Sequence, residues 1–145
     1  MQDRPSAPEL TDAVGHFLRH ELAPAITDPR LRFRVLIAAN LMAVITRELG
    51  AGDGPLRREW RELAALLGRG AEPPADLAAL HAGYEAMRRE LCARVRRGDA
   101  DEGPWAEAAY AYAMGAVTAR LEIANPRFLE RVGAASADHS AEVRP

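Results

Sequence analysis

Two histidines near the start of the chain have a spacing that metal sites use. His16 and His20 are four residues apart, so a helix would place both imidazoles on one side. They lie away from the apolar stripe that runs from Leu10 to Leu22. No third ligand can be identified, and no glutamate completes an HExxH pattern. The sequence therefore favours a solvated pair, and we expect no metal ion here.

The lone cysteine and one glycine-rich segment are two further places to look for chemistry. Cys92 follows Leu91 in a predicted helix and has no histidine in a recognisable motif with it. Because a reactive thiolate needs a base or an electropositive pocket, we interpret Cys92 as a small buried apolar group. Residues 50–54 are glycine-rich, but a Walker loop needs a lysine and a preceding strand, and neither is present in the sequence. We expect no catalytic residue and no cofactor.

Three arginines cluster at the start of the second predicted helix. Arg30 and Arg34 share a face, whereas Arg32 points nearly opposite. Positive charge near a helix N-terminus opposes the helix dipole, so helix stability does not require these residues. One interpretation is that they pair with acidic residues, such as Glu21 or Asp28. The other is that they contact an anionic partner, either a phosphate or an acidic protein surface.

Asn40 is the one polar residue within an otherwise apolar stretch of the same helix. A buried asparagine needs hydrogen-bond partners and can fix the register between helices, which is the structural interpretation. Contact with a ligand is the functional alternative. We take Arg30, Arg32, Arg34 and Asn40 together as the candidate surface for contact with a partner or an anion.

The elements that position these residues are helices separated by proline and glycine. No alternating strand pattern is present in the sequence. Five segments are predicted, at about 8–22, 27–49, 53–68, 75–98 and 104–125. We predict an all-α, single-domain helical bundle over residues 1–132, with four main helices and an N-terminal one in antiparallel up-down packing. Residues 133–145 are small and polar, and we expect a disordered tail.

The second segment is apolar on two sides, which is typical of a central helix or of one shared with a partner. One side carries Leu31, Val35, Ala38, Met42, Ile45 and Leu49, and the other carries Phe33, Ile37 and Val44. A homo-oligomer would bury both sides, and so would a five-helix monomer. The sequence does not distinguish the homo-oligomer from the five-helix monomer.

Composition excludes several classes of function. The formal net charge is -2, and all 19 basic residues are arginine, so no strong basic field is available to hold nucleic acid. The longest apolar stretch, from Val35 to Ile45, is far shorter than the ~20 residues of a membrane span. The first residues lack the apolar core of a signal peptide, and the single cysteine fits a cytoplasmic protein.

Three stretches of the chain together resemble a known family. They are Gln2-Asp3-Arg4-Pro5 leading into Glu9-Leu10, Asp28 to Val35 continuing through Ala38-Ala39-Asn40, and Ala124-Asn125-Pro126-Arg127-Phe128-Leu129. The family consists of small bacterial proteins without an assigned domain function. Their genes often lie beside an aminoglycoside-phosphotransferase-like kinase and an acyl-CoA dehydrogenase. The resemblance covers nearly the whole chain except the tail.

The resemblance implies a non-catalytic accessory subunit for such a kinase, acting in hydroxyacyl-CoA metabolism. Phosphorylation of the hydroxyl would prepare it to leave, and the dehydrogenase-like enzyme would continue the pathway. The family has no established catalytic residues, so the resemblance assigns none to this chain. The alternative is a helical module that binds a small molecule, either an acyl-CoA or another anion. A third alternative is an independent enzyme whose cofactor or metal the sequence does not indicate.

Overall fold

The described part of this computed structural model, residues 4–70 and 72–133, contains helices and connecting loops and no β-strand. The all-α prediction is therefore confirmed for these residues. Six α-helices are present in them, and residues 126–133 are helical as well. The helices are α1 (Ala7–Phe17), α2 (Ala23–Ala25), α3 (Pro29–Ala51), α4 (Gly54–Leu66), α5 (Leu77–Arg96) and α6 (Pro104–Ala124).

Short-range signals in the sequence set where these helices begin. Ser6 and Glu9 form a capping box at the start of α1. Asp28 Oδ1 accepts a hydrogen bond from the backbone N–H of Arg30 at 2.9 Å, and Asp76 Oδ1 accepts one from Ala79 at 2.8 Å. The predicted starts of α3 and α5 are thus confirmed to within two residues.

The end of α3 differs from the predicted segment, which ended at residue 49, before Gly50. The helix continues through Gly50 to Ala51, and Gly52 follows with a φ of 58°. A left-handed φ favours glycine because a Cβ would clash with the backbone there. Gly52 therefore ends the helix, whereas Gly50 is tolerated inside it.

The first predicted segment is divided rather than continuous. A five-residue π-helical turn, Leu18–Leu22, separates α1 from α2, and the N–H of Ala23 donates to the carbonyl of Leu18. Pro24 explains the wider turn, because it has no N–H and its ring would clash with the carbonyl of His20 in α-helical geometry. This division gives two α-helices, α1 and α2, where one was expected.

The described residues form two compact units. Unit 1 comprises residues 4–52 and Ile123–Arg127, and unit 2 comprises Asp53–Glu122 and residues 128–133. The single domain over residues 1–132 and its up-down packing stay predictions. The predicted disordered tail lies outside the described residues, apart from Gly133, which is helical.

Unit 1 is built on the close approach of α1 and α3. Gly15 and Ala39 are buried where the two helices cross. Thr11 Oγ1 lies 2.9 Å from Thr46 Oγ1, and a Cβ at Gly15 would lie 3.2 Å from the Cβ of Met42. Thr11 contacts Thr46, whereas Gly15, which comes later in α1, contacts Met42, which comes earlier in α3. The two helices therefore run antiparallel.

Unit 2 has its apolar core between α4 and α5. Leu63 and Leu80 are fully buried at its centre. Gly83 leaves room for the indole of Trp60, whose Nε1 would lie 3.3 Å from a Cβ at that position. The indole Nε1 of Trp105 on α6 donates to the carbonyl of Leu66 at 3.2 Å. The buried residues of this core are Trp60, Leu63, Ala64, Leu67, Leu80, Tyr84 and Met87.

Within residues 4–70 and 72–133, no single helix has both the length and the apolar character to cross a membrane. Only α3 and α4 taken together, as a bent pair, have the composition for it.

Candidate functional site

One side of unit 1 carries a cleft lined by arginine and asparagine. Its volume is about 130 Å³. Arg19 reaches it from the π turn, Asn40 and Arg47 from α3, and Arg127 from the helical residues that follow Asn125. The lining residues are Arg19, Asn40, Ala43, Arg47, Ala124, Asn125, Pro126 and Arg127. No carboxylate is among them, so the lining is positively charged.

The local conformation of each segment explains how these residues converge. Asn40 and Arg47 are seven residues apart and therefore share a side of α3. The π turn shifts Arg19 relative to a regular α-helix, a distortion often found at functional sites. Pro126 prevents α6 from continuing, so the chain turns at Asn125 and brings Arg127 to the cleft.

Arg47 is held in place by the end of α6. Its Nε donates to the carbonyl of Ile123 at a distance of 2.5 Å. The carbonyls of the last helical turn have no partner within their helix, so a guanidinium is a favourable partner for one of them. This bond occupies one N–H of Arg47. Its two terminal nitrogens have no hydrogen-bond partner among the described residues.

A second cleft adjoins the first on the same side of unit 1 and shares Arg19 and Ala43 with it. His16 and His20 line this second cleft, and their ring centroids are 4.5 Å apart. Both side chains are exposed, which agrees with the predicted solvated pair. Across the described ranges, no three histidine, cysteine, aspartate or glutamate side chains are placed to hold a metal ion together.

The four residues predicted as a contact surface do not lie together in the structure. Asn40 lines the first cleft, whereas Arg30, Arg32 and Arg34 are exposed in the first turns of α3 and do not line it. None of these three arginines has a carboxylate of the described chain within 4.0 Å, so no ion pair with Glu21 or Asp28 is formed. Their role in contacting a partner stays a prediction.

Asn40 is exposed, so the structural interpretation of a buried asparagine that fixes helix register was wrong, and contact with a ligand stays a prediction. The position that packs against α1 is its neighbour Ala39, which has 1% exposure. The sequence prediction also missed Arg19, Arg47 and Arg127. The sequence did contain a signal for Arg47, because Arg47 is two helical turns from Asn40 and lies on the same side of α3.

The opposite side of unit 1 is apolar. Six large side chains form what we call the apolar face, and each is between 38% and 56% exposed. At about 100° per residue, Ile45 and Leu49 lie roughly half a turn around α3 from Asn40 and Arg47. The apolar face consists of Leu10, Val14 and Phe17 on α1 and of Leu41, Ile45 and Leu49 on α3. The second predicted apolar side of α3 is also exposed to solvent, and Phe33 on it is 64% exposed.

Unit 2 contains a polar cluster of two tyrosines and an ion pair. Arg120 Nη2 donates to Glu59 Oε1 at 2.6 Å and to the Tyr84 hydroxyl at 3.0 Å. Burial, followed by hydrogen bonds to Glu59 and Tyr112, raises the pKa of Tyr84 well above its ordinary range. Burial also raises the pKa of Tyr112. Both phenols therefore keep their protons near neutral pH, and the Tyr84 hydroxyl accepts a hydrogen bond from Arg120 there.

Cys92 is exposed, so the interpretation of a buried thiol was wrong. The buried positions of α5 are Leu80, Tyr84 and Met87, spaced three and four apart, and Leu91 continues that row as a partly buried residue. Cys92 is one residue further and projects away from it. Its surroundings are an open surface formed with Glu85, Arg88, Arg89 and Arg96.

Comparison with known proteins gives one match. Residues 24–128 match the model of a family described as a domain of unknown function, DUF6285. No curated protein and no solved structure matches the chain. The matched residues contain α3, α4, α5 and α6, together with all the residues that line the arginine-containing cleft except Arg19. Because the match covers well over half of the sequence, the chain belongs to the DUF6285 family.

Proposed function

We propose that this chain is a non-catalytic accessory subunit that binds a protein partner through the apolar face of unit 1. The observation that carries the proposal is the exposure of Leu10, Val14, Phe17, Leu41, Ile45 and Leu49 on one side of a helix pair. Single exposed apolar side chains are common on proteins, but six of them on one side of two packed helices are typical of an interaction surface.

The energy available from covering this face supports the proposal. Burying a large aliphatic or aromatic side chain completely contributes roughly 1.5–3 kcal/mol. About half of each side chain in the face is already covered, so covering the remainder of all six contributes on the order of 5 kcal/mol. The loss of rotational and translational freedom on association costs roughly 4–15 kcal/mol, so the apolar face would supply a large part of the binding energy and polar contacts around it the rest.

The partner in this proposal is an aminoglycoside-phosphotransferase-like kinase. This identity comes from the family resemblance and its gene neighbourhood, and it would place the complex in the cytoplasm of a bacterium. The kinase would phosphorylate a hydroxyacyl-CoA, and the helical subunit would stabilise or position it. Arg30 and Arg34, both exposed on α3, would contact acidic residues of the partner beside the apolar face.

Co-expression with the kinase of the same genome tests the proposal. We expect the two chains to co-elute in gel filtration and the kinase to lose activity or yield when the helical subunit is omitted. The double variant Leu41→Glu/Leu49→Glu is expected to abolish co-elution, because it places two charges in the apolar face. Leu77→Glu is the matched control, since Leu77 is 49% exposed on α5 of unit 2. Circular dichroism establishes that each variant is folded.

Three results would contradict the proposal. The first is a kinase that is fully active alone and never co-elutes. The second is a double variant that co-elutes as well as the unmodified chain does. The third is a chain that is dimeric alone and becomes monomeric in the double variant, since the apolar face would then belong to a second copy.

A further inference from the structure

We propose that the cleft formed by Arg19, Asn40, Arg47 and Arg127 binds the phosphoryl group of a small-molecule ligand. We call it the arginine cleft. It lies on the opposite side of unit 1 from the apolar face, and it shares no residue with that face. The proposal is therefore independent of the protein partner, and either can fail without the other.

The charge of the arginine cleft has no counter-charge among the residues that line it. Three guanidinium groups line it together with no carboxylate. Within the described chain, none of the three has an acidic side chain within 4.0 Å. Like charges placed together repel one another unless water or an anion screens them. An anion in the cleft would remove this repulsion.

The arginines of unit 2 provide a contrast. Arg57 pairs with Asp53, Arg88 with Glu85 and Arg120 with Glu59. Four further arginines of unit 2 also have acidic partners, namely Arg61, Arg69, Arg94 and Arg97. Most arginines of that unit are thus neutralised inside the chain. Those of the arginine cleft are not neutralised by the described residues, and unlike the other unpaired arginines of unit 1 they line one cleft together.

The donors in the arginine cleft suit a tetrahedral oxyanion. Arg47 is oriented by its bond to the carbonyl of Ile123, which leaves its terminal N–H groups for a ligand. Guanidinium groups bind phosphate through paired N–H donors, and a pre-oriented one loses little freedom on binding. The amides of Asn40 and Asn125 add uncharged donors at the rim. Several donors from separate segments would therefore surround one anion.

The size of the cleft limits the ligand. A volume of about 130 Å³ has room for several water molecules, and so for one phosphate group with its four oxygens. It is too small for the rest of a nucleotide. Because the cleft opens to the surface, the remainder of the ligand would project outward. The proposed ligand is thus a phosphomonoester, recognised by its terminal group.

The C-terminal end of α6 opposes anion binding in the arginine cleft. Its last carbonyls carry the partial negative charge of the helix dipole, and Ala124 lines the cleft. Arg47 compensates for part of this charge by donating to Ile123. Arg19 and Arg127 make no comparable bond to a described residue, so their charge remains available to a ligand.

Calorimetric titration of the full chain with inorganic phosphate tests the proposal. The ionic strength is held constant with sodium chloride, so that non-specific screening is the same throughout. We expect saturable binding, a rise of the melting temperature with phosphate concentration, and an affinity at least fivefold lower for both Arg19→Gln and Arg127→Gln. Asn40→Asp is expected to abolish binding, because it adds a negative charge at the rim. Arg47 is left unchanged because it also holds the end of α6.

Arg32→Gln and Arg34→Gln are the matched controls, since each removes the same charge from unit 1 outside the cleft. They are expected to bind phosphate as the unmodified chain does. The proposal is overturned by an absence of saturable binding, or by equal stabilisation from sodium chloride. It is also overturned if the controls lose as much affinity as Arg19→Gln and Arg127→Gln, since binding would then follow net charge. A chain that binds phosphate and never co-elutes with a kinase supports the cleft and contradicts the partner.

Discussion

Gly15 of α1 lies directly against Met42 of α3, so closely that a Cβ on the glycine would be 3.2 Å from the Cβ of the methionine. The backbone carbonyl of Ala39 would lie 3.7 Å from the same Cβ. The two helices therefore meet almost backbone to backbone at this crossing. The contact fixes the spacing of α1 and α3, on which both the apolar face and the arginine cleft depend.

We predict that Gly15→Leu destabilises the chain. A leucine side chain has no room between the two helices, and overpacking of this kind costs about 1–3 kcal/mol. Gly50→Leu is the control, because Gly50 is also helical but a Cβ added to it would have no neighbouring atom within 4 Å. Replacing that glycine by a good helix former is expected to be neutral or to stabilise by up to about 1 kcal/mol. Urea unfolding measures both, and equal effects of the two would disprove the close crossing.

The ion pair between Glu59 and Arg120 in unit 2 leads to a second prediction. Glu59 has a side chain that is only 16% exposed, and Arg120 is its partner. Arg120→Met leaves this carboxylate without its partner and removes a donor to Tyr84, so we expect a loss of about 1–3 kcal/mol in unfolding free energy. Arg58→Met is the control, since Arg58 lies on the same helix as Glu59 and forms no ion pair with a described residue. Adding Glu59→Gln to Arg120→Met is expected to recover part of the loss, and a failure to recover any would argue against the unpaired charge.

The raised pKa of Tyr84 predicts how stability depends on alkaline pH. In the folded chain this phenol keeps its proton, whereas in the unfolded chain it ionises near pH 10. Its contribution is therefore fully present below about pH 10 and is lost as the pH rises above that value, because ionisation then favours the unfolded state.

Urea unfolding at pH 8 and at pH 10.5 is expected to show this decrease for the unmodified chain. The decrease should be smaller for Tyr84→Phe, which cannot ionise. Tyr110→Phe serves as the control, because Tyr110 is 70% exposed and should leave the decrease unchanged. Equal slopes for the unmodified chain and Tyr84→Phe would show that the phenol of Tyr84 is not protected from ionisation.

The sequence predicted the helices well because their signals are local. The caps at Asp28 and Asp76 act within three residues, and so they can be read without tertiary structure. The π turn could not be predicted in this way. Pro24 signals an end to the helix, but the sequence pattern does not distinguish a preceding turn that stops from one that widens.

The arginine cleft was only partly predictable, because its residues come from three distant parts of the chain. Asn40 could be identified from the sequence because it is a polar residue in an apolar stretch, and it lines the cleft. Arg19 and Arg127 look like ordinary surface residues in the sequence. Their proximity to Arg47 depends on the antiparallel pairing of α1 with α3 and on the turn at Asn125, which are both tertiary features.

A last prediction concerns Arg47 in the absence of any ligand. Its Nε bond to the Ile123 carbonyl joins α3 to the end of α6, so Arg47→Met is expected to lower the unfolding free energy by about 1 kcal/mol. Methionine keeps the aliphatic part of the side chain, and the loss therefore reports on the hydrogen bond. Arg34→Met is the control, because Arg34 is exposed on the same helix and should change stability by less than about 0.5 kcal/mol. If both variants have the stability of the unmodified chain, Arg47 does not fasten the end of α6, and its orientation toward the cleft would need another cause.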